Sequence, residues 1–125
     1  MDPCRRLVEG IAAGRVEATT AVDVLQEFTH VYARRRSRRE AARIARHYAE
    51  LLAPVFSFER GHLEAALRLF ERQPALGAFD ALLAAAAIAQ EADALVSADE
   101  AFRTVPGLRL VEPATSAFEE LLAGA

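Results

Sequence analysis

Apolar residues recur at helical spacing along most of the chain, and short unbroken apolar runs lie between the helical stretches. Asp2-Pro3 combines an N-cap residue with proline at the first helical position. Leu7, Val8, Ile11 and Ala12 then form a helical stripe that Gly14 ends. Residues 16–19 read as a short strand, and Thr20 is placed to cap a helix carrying Val22, Leu25, Phe28 and Val31. An arginine-rich stretch at 34–39 interrupts. Within it, Ser37 and Glu40 have capping-box spacing, which predicts a further helix through Ile44, Tyr48 and Leu51 to Pro54. Residues 55–58 form a second strand candidate. An amphipathic helix follows, with Leu63, Leu67 and Phe70 inward, and Gln73-Pro74 and Gly77 mark a turn. Residues 79–89 are apolar nearly all round, which predicts a deeply buried helix. A third strand at 94–97, a helical turn at Phe102, a Pro106-Gly107 break, a fourth strand at 108–111 and a helix at 116–122 complete the chain.

Short apolar strands alternating with helices predict an α/β layer fold with a parallel sheet flanked by helices. In such folds the functional crevice lies at the carboxyl ends of the strands. The 125 residues suit a single domain, 1–125, with no linker, repeat or low-complexity segment.

Composition changes the picture in three ways. Hydrophobic residues make up 53% and aromatics only 7%, so alanine and leucine carry the core and favour helix. The net charge of -3 and pI of about 5.6 exclude a general nucleic-acid coat. Any contact with nucleic acid must come from a local basic patch. All 15 basic residues are arginine, and Arg34, Arg35, Arg36, Arg38, Arg39, Arg43 and Arg46 form the one cluster. Cys4 stands alone, which excludes an intramolecular disulfide and a thiolate metal centre. Arg5 and Arg6 interrupt the N-terminal segment and no apolar run of membrane length follows, so a cytoplasmic protein without a membrane partner is expected.

Three acidic residues occupy unusual places. Glu27 shares a helical face with Val24 and Val31, where a carboxylate is costly unless paired; the plainer reading is a residue at the stripe's edge reaching solvent or an arginine. Asp80 is followed at helical spacing by Leu83, Ala84, Ala87 and Ile88, so it heads an apolar face. Compensation of the helix dipole accounts for an Asp in the first turn but not for its inward side. Asp99 follows the third strand, and the plainer reading there is an N-cap for the turn at Phe102. If the three gather in the crevice of a parallel sheet, they repel unless a divalent cation sits among them. Oxygen donors without His or Cys then select Mg²⁺ or Mn²⁺. His30, His47 and His62 share no spacing with another candidate base, and Tyr32 and Tyr48 suit core packing better than base stacking.

The stretch 17–28, with Glu27 near its end, resembles the second strand and following helix of PIN domains. Residues 76–82, Leu-Gly-Ala-Phe-Asp-Ala-Leu, resemble the family's third acidic motif and place its Asp on Asp80. The run 94–102, followed by Val105-Pro106-Gly107-Leu108, is similar to the fourth motif, with Asp99 as its Asp and Ser97 at a common hydroxyl position. Some members carry a further acid two residues on, where this chain has Ala101. The resemblance covers essentially the whole chain and points to VapC-type toxins.

It implies a three-layer PIN-like fold and a metal-dependent endoribonuclease using Mg²⁺, with Mn²⁺ as the other option. Glu27, Asp80 and Asp99 would be its catalytic and metal-binding residues, with Ser97 in support. It further implies an RNA substrate, to which Arg35, Arg36 and Arg39 offer phosphate contacts, a cognate antitoxin that neutralises the enzyme, and a homodimer. PIN domains open with a central strand ending in an Asp, whereas here Met1-Asp2-Pro3 already begins a helix. The expectation is therefore that this N-terminal strand is missing from residues 1–125 and that the native protein begins upstream. The alternatives are a non-catalytic PIN-like binding module and an α/β interaction domain whose acids are only caps.

Overall fold

A computed structural model describes residues 2–124. Two compact units are formed, residues 2–57 with 122–124, and residues 58–121. In the first, Asp2 caps α1 (Pro3–Ala12) by accepting a hydrogen bond from the Cys4 amide at 3.2 Å, and Pro3 supplies a preset first turn. Gly14, at φ +77°, ends the helix in the left-handed region, as its position predicts. Gly10 is buried, and a Cβ there would lie 3.4 Å from a methyl of Leu122.

The helices α2 (Val22–Arg35) and α3 (Arg38–Leu51) pack together, with Phe28 between Tyr32 and Tyr48 at centroid distances of 5.4 and 5.5 Å. Ser37 caps α3 by accepting from the Glu40 amide at 3.1 Å, while the Glu40 carboxylate lies 3.5 Å from Arg43. The tyrosines therefore pack, as expected.

The strands expected at 16–19 and 55–58 are reduced to one parallel bridge between Ala21 and Phe56. The Phe56 amide donates to the Thr20 carbonyl at 3.1 Å, and the Val22 amide donates to the Phe56 carbonyl at 2.8 Å. The next donor back along that ladder would be residue 54. It is proline and has no N–H, so pairing stops. In the other direction Val22 already begins α2. Thr19 contributes a side-chain substitute, its hydroxyl donating to the Pro54 carbonyl at 2.8 Å.

In the second unit α4 (Arg60–Arg72) and α5 (Ala78–Ala89) form a helical hairpin whose turn buries Leu76. Glu59 caps α4, and the Glu59 amide donates to Nδ1 of His62 at 2.9 Å. The buried cluster is built on Ala66, Leu76, Ala81, Ala84, Ala85, Phe102 and Val105. The face of α4 expected inward is the outer one, since Leu63, Leu67 and Phe70 are 48%, 46% and 48% exposed. Ala65, Ala66 and Leu69 face the cluster instead. Both faces are apolar, and the smaller residues admit the closer approach of α5. Helix α5 is likewise buried through its alanines, while Phe79 and Ile88 near its ends remain exposed. Phe79 meets Phe58 edge to face at 6.0 Å.

The strands β1 (Leu95–Val96) and β2 (Leu110–Val111) pair in parallel, with Leu95 opposite Leu110 and Val96 opposite Val111. Each is shorter than the four-residue run expected. Between them the 3-10 helix Glu100–Thr104 buries Phe102, and Gly107 turns the chain at φ +79°. Helix α6 (Ser116–Leu122) coincides with the predicted segment, and its Phe118 is fully buried. The result is a mostly helical α/β fold with a two-stranded parallel sheet. No helix among the described residues is long and apolar enough to cross a membrane.

Candidate active site

Parallel strands release the chain on the same side, and Asp99 is placed there by three local bonds. The Ser97 amide donates to the Val111 carbonyl at 3.2 Å, closing the ladder. The Ser97 hydroxyl then accepts from the Asp99 amide at 3.1 Å. Asp99 Oδ1 in turn accepts from the Ala101 amide at 2.9 Å and starts the 3-10 helix. The capping role foreseen for Asp99 is real, and it orients the carboxylate. Ser97 supports Asp99 through its backbone, which gives the hydroxyl position a physical purpose.

Asp80 sits in the first turn of α5, where Gly77 at the N-cap offers no side chain. A role limited to compensating the helix dipole would favour the ionised form and lower the pKa. The opposite is found. Burial pushes the Asp80 carboxyl above its ordinary value, and the charge of Asp99 and a hydrogen bond to its carboxyl push it further in the same direction. Asp80 and Asp99, far apart in sequence, therefore meet.

Two such carboxylates hold either a shared proton or a cation. As hard oxygen donors without thiolate or imidazole, they fit a hard divalent cation. No group of three or more His, Cys, Asp or Glu able to hold a metal ion occurs among the described residues.

Glu27 lies on α2 in the first unit and is exposed, with half-buried Val24 and exposed Val31 on its face. It stands at the edge of that stripe. Arg35 ends α2, Arg36 is its C-cap and Arg39 lies in the first turn of α3, all three exposed. One further pair was not legible beforehand: Arg103 of the 3-10 helix lies 3.0 Å from Glu112, which follows β2. Only the strand register brings these two together. The available signal was an acid directly after a short apolar strand.

Asp99 after β1 and Asp80 at the head of α5 thus form an acidic pair in an α/β domain. Residues 2–108 match the PIN domain family, and the chain belongs to that family, within its VapC type. It is similar to Ribonuclease VapC7 of Mycobacterium tuberculosis (strain ATCC 25618 / H37Rv), with 43% identity over 127 residues, spanning 97% of this chain and 84% of that protein. No solved structure matches the chain significantly.

Proposed function

We propose that this protein is a Mg²⁺-dependent endoribonuclease, the toxin of a toxin–antitoxin pair, acting in the cytoplasm as a homodimer and neutralised by its cognate antitoxin. Mn²⁺ is the alternative ion. The observation that carries this reading is the meeting of Asp80 and Asp99 at the strand ends. Family membership and the similarity to a protein named as a ribonuclease support it.

Asp80 and Asp99 would hold the cation, and Glu27 is the further acid that the family resemblance assigns to the reaction. When bound, the cation supplies Lewis acidity toward the phosphodiester and lowers the pKa of water. The protein's own contribution is orientation. Ser97 and the Ala101 amide fix Asp99, the first turn of α5 fixes Asp80, and Arg35, Arg36 and Arg39 give the RNA backbone phosphate contacts. Hydrolysis adds one water across a P–O bond, and the leaving oxygen takes the proton.

The test is cleavage of a single-stranded RNA in Mg²⁺ by the wild type and by Asp99→Asn, an exchange that retains a capping side chain. Cleavage by the wild type, lost in EDTA and lost in the folded variant, is the expected result. Undiminished cleavage by Asp99→Asn overturns the assignment. A folded wild type that leaves RNA intact in Mg²⁺ returns the chain to a binding module.

A further inference from the structure

We propose that the ion pair between Arg103 and Glu112 is a latch that holds Asp99 at the angle facing Asp80, making both members positioning residues. The proposal rests on the ribonuclease reading for its catalytic consequence, but not for its structural one.

Asp99 begins a 3-10 helix, which has poorer hydrogen-bond geometry than an α-helix and is correspondingly soft. The bond that closes its first turn, from the Phe102 amide to the Asp99 carbonyl, is long at 3.5 Å. Phe102 and Val105 anchor the buried side of the turn at 3% exposure each. On the outer side the Thr104 hydroxyl donates to the Ala101 carbonyl at 2.9 Å within the turn, and Arg103 ties the turn to β2, its Nη2 lying 3.0 Å from Glu112 Oε2.

The two members are unequal. The Arg103 side chain is 60% exposed, whereas that of Glu112 is only 20% exposed. Glu112 directly follows the last paired residue of β2, and the Thr115 hydroxyl holds its carbonyl at 2.7 Å. It is therefore a fixed post, and Arg103 is the arm that reaches it.

Glu112 Oε1 is buried and has no hydrogen-bond partner among the described residues. Burying a carboxylate oxygen in that state is costly, and an ordinary surface ion pair carries no such cost. A cost of this kind persists where placement matters, and here it places the turn whose first residue is Asp99.

The test uses the full chain as wild type, Arg103→Ala, Glu112→Gln and Arg103→Lys, with two readouts. The first is steady-state cleavage of a single-stranded RNA in Mg²⁺, with Asp99→Asn as the inactive control. The second, independent of any activity, is hydrogen exchange of the Ala101 amide, which is bonded to Asp99 Oδ1, relative to the amides of α5.

Arg103→Ala and Glu112→Gln should lose about tenfold in kcat with KM unchanged. The Ala101 amide should exchange about tenfold faster while α5 is unaffected. Arg103→Lys should recover most of both. If the wild type leaves RNA intact but Ala101 exchange responds in this way, the ribonuclease reading falls and the latch on Asp99 stands. Wild-type exchange at Ala101 in Arg103→Ala, or a change spread evenly over the unit, overturns the latch.

Discussion

Opposed influences act on the single carboxyl of Asp80. The start of α5 favours its ionised form, while burial first and Asp99 second favour the neutral one, and the latter two prevail. The folded-state pKa is thus raised above the unfolded value. The folded state binds this proton more tightly, so the stabilisation is full below the ordinary carboxylate pKa and is lost as pH rises through the raised one. Asp80→Asn removes the ionisation. Its Tm should exceed the wild-type value at pH 7, and the difference should close as pH falls to the ordinary carboxylate value. Mg²⁺ should raise the wild-type Tm and leave that of the variant unchanged. Thermal melts followed by circular dichroism across pH check all three points; a lower Tm for the variant at pH 7 contradicts them. Asp80 was legible in the sequence because an acid heading an apolar helical face needs a reason. Asp99 was legible from its place after a strand. That the two touch was implied by the family resemblance and not by spacing, because contact depends on tertiary packing. The Arg103–Glu112 pair was invisible for the same reason.

Elements obey local rules more strictly than contacts do. The caps at Asp2 and Ser37 and the end of α1 at Gly14 could be read directly, since each depends on neighbours within a turn. Strand lengths could not, because a strand exists only through its partner. Pro54 ends one ladder by lacking a donor that only the register makes necessary. The buried face of α4 was misjudged because the helix has two apolar faces, and periodicity does not choose between them. Two glycines bring the local rules to a test. Gly61 lies in the first turn of α4 with open space where a Cβ would be, so Gly61→Ala should stabilise by about 0.4–1 kcal/mol. Gly107 has equal space but a φ of +79°, so Gly107→Ala should destabilise by about 1–2 kcal/mol. Urea denaturation should give opposite signs for the two; a shared sign would show that space rather than backbone conformation governs them.

Over the whole molecule, charge is unevenly spread. The net value is -3, yet the junction of α2 and α3 presents Arg35, Arg36 and Arg39 to solvent. Changing all three to Ala should weaken RNA binding and reduce the slope of log affinity against log salt by about 2, since each lost phosphate contact removes about 0.7 on a single strand. Fluorescence anisotropy with a labelled oligonucleotide over a salt series measures this, and an unchanged slope would make the cluster a solvated surface only. The outward line of Leu63, Leu67 and Phe70 on α4 has a consequence of another kind, for the protein as a colloid. Above pH 7 the negative net charge keeps molecules apart and the oily line is harmless. Near the pI of about 5.6 that long-range repulsion vanishes, and short-range attraction between such lines governs how solutions behave. The second virial coefficient should then turn negative, and mildly acidic buffers should be where this protein clouds first, which static light scattering across pH checks.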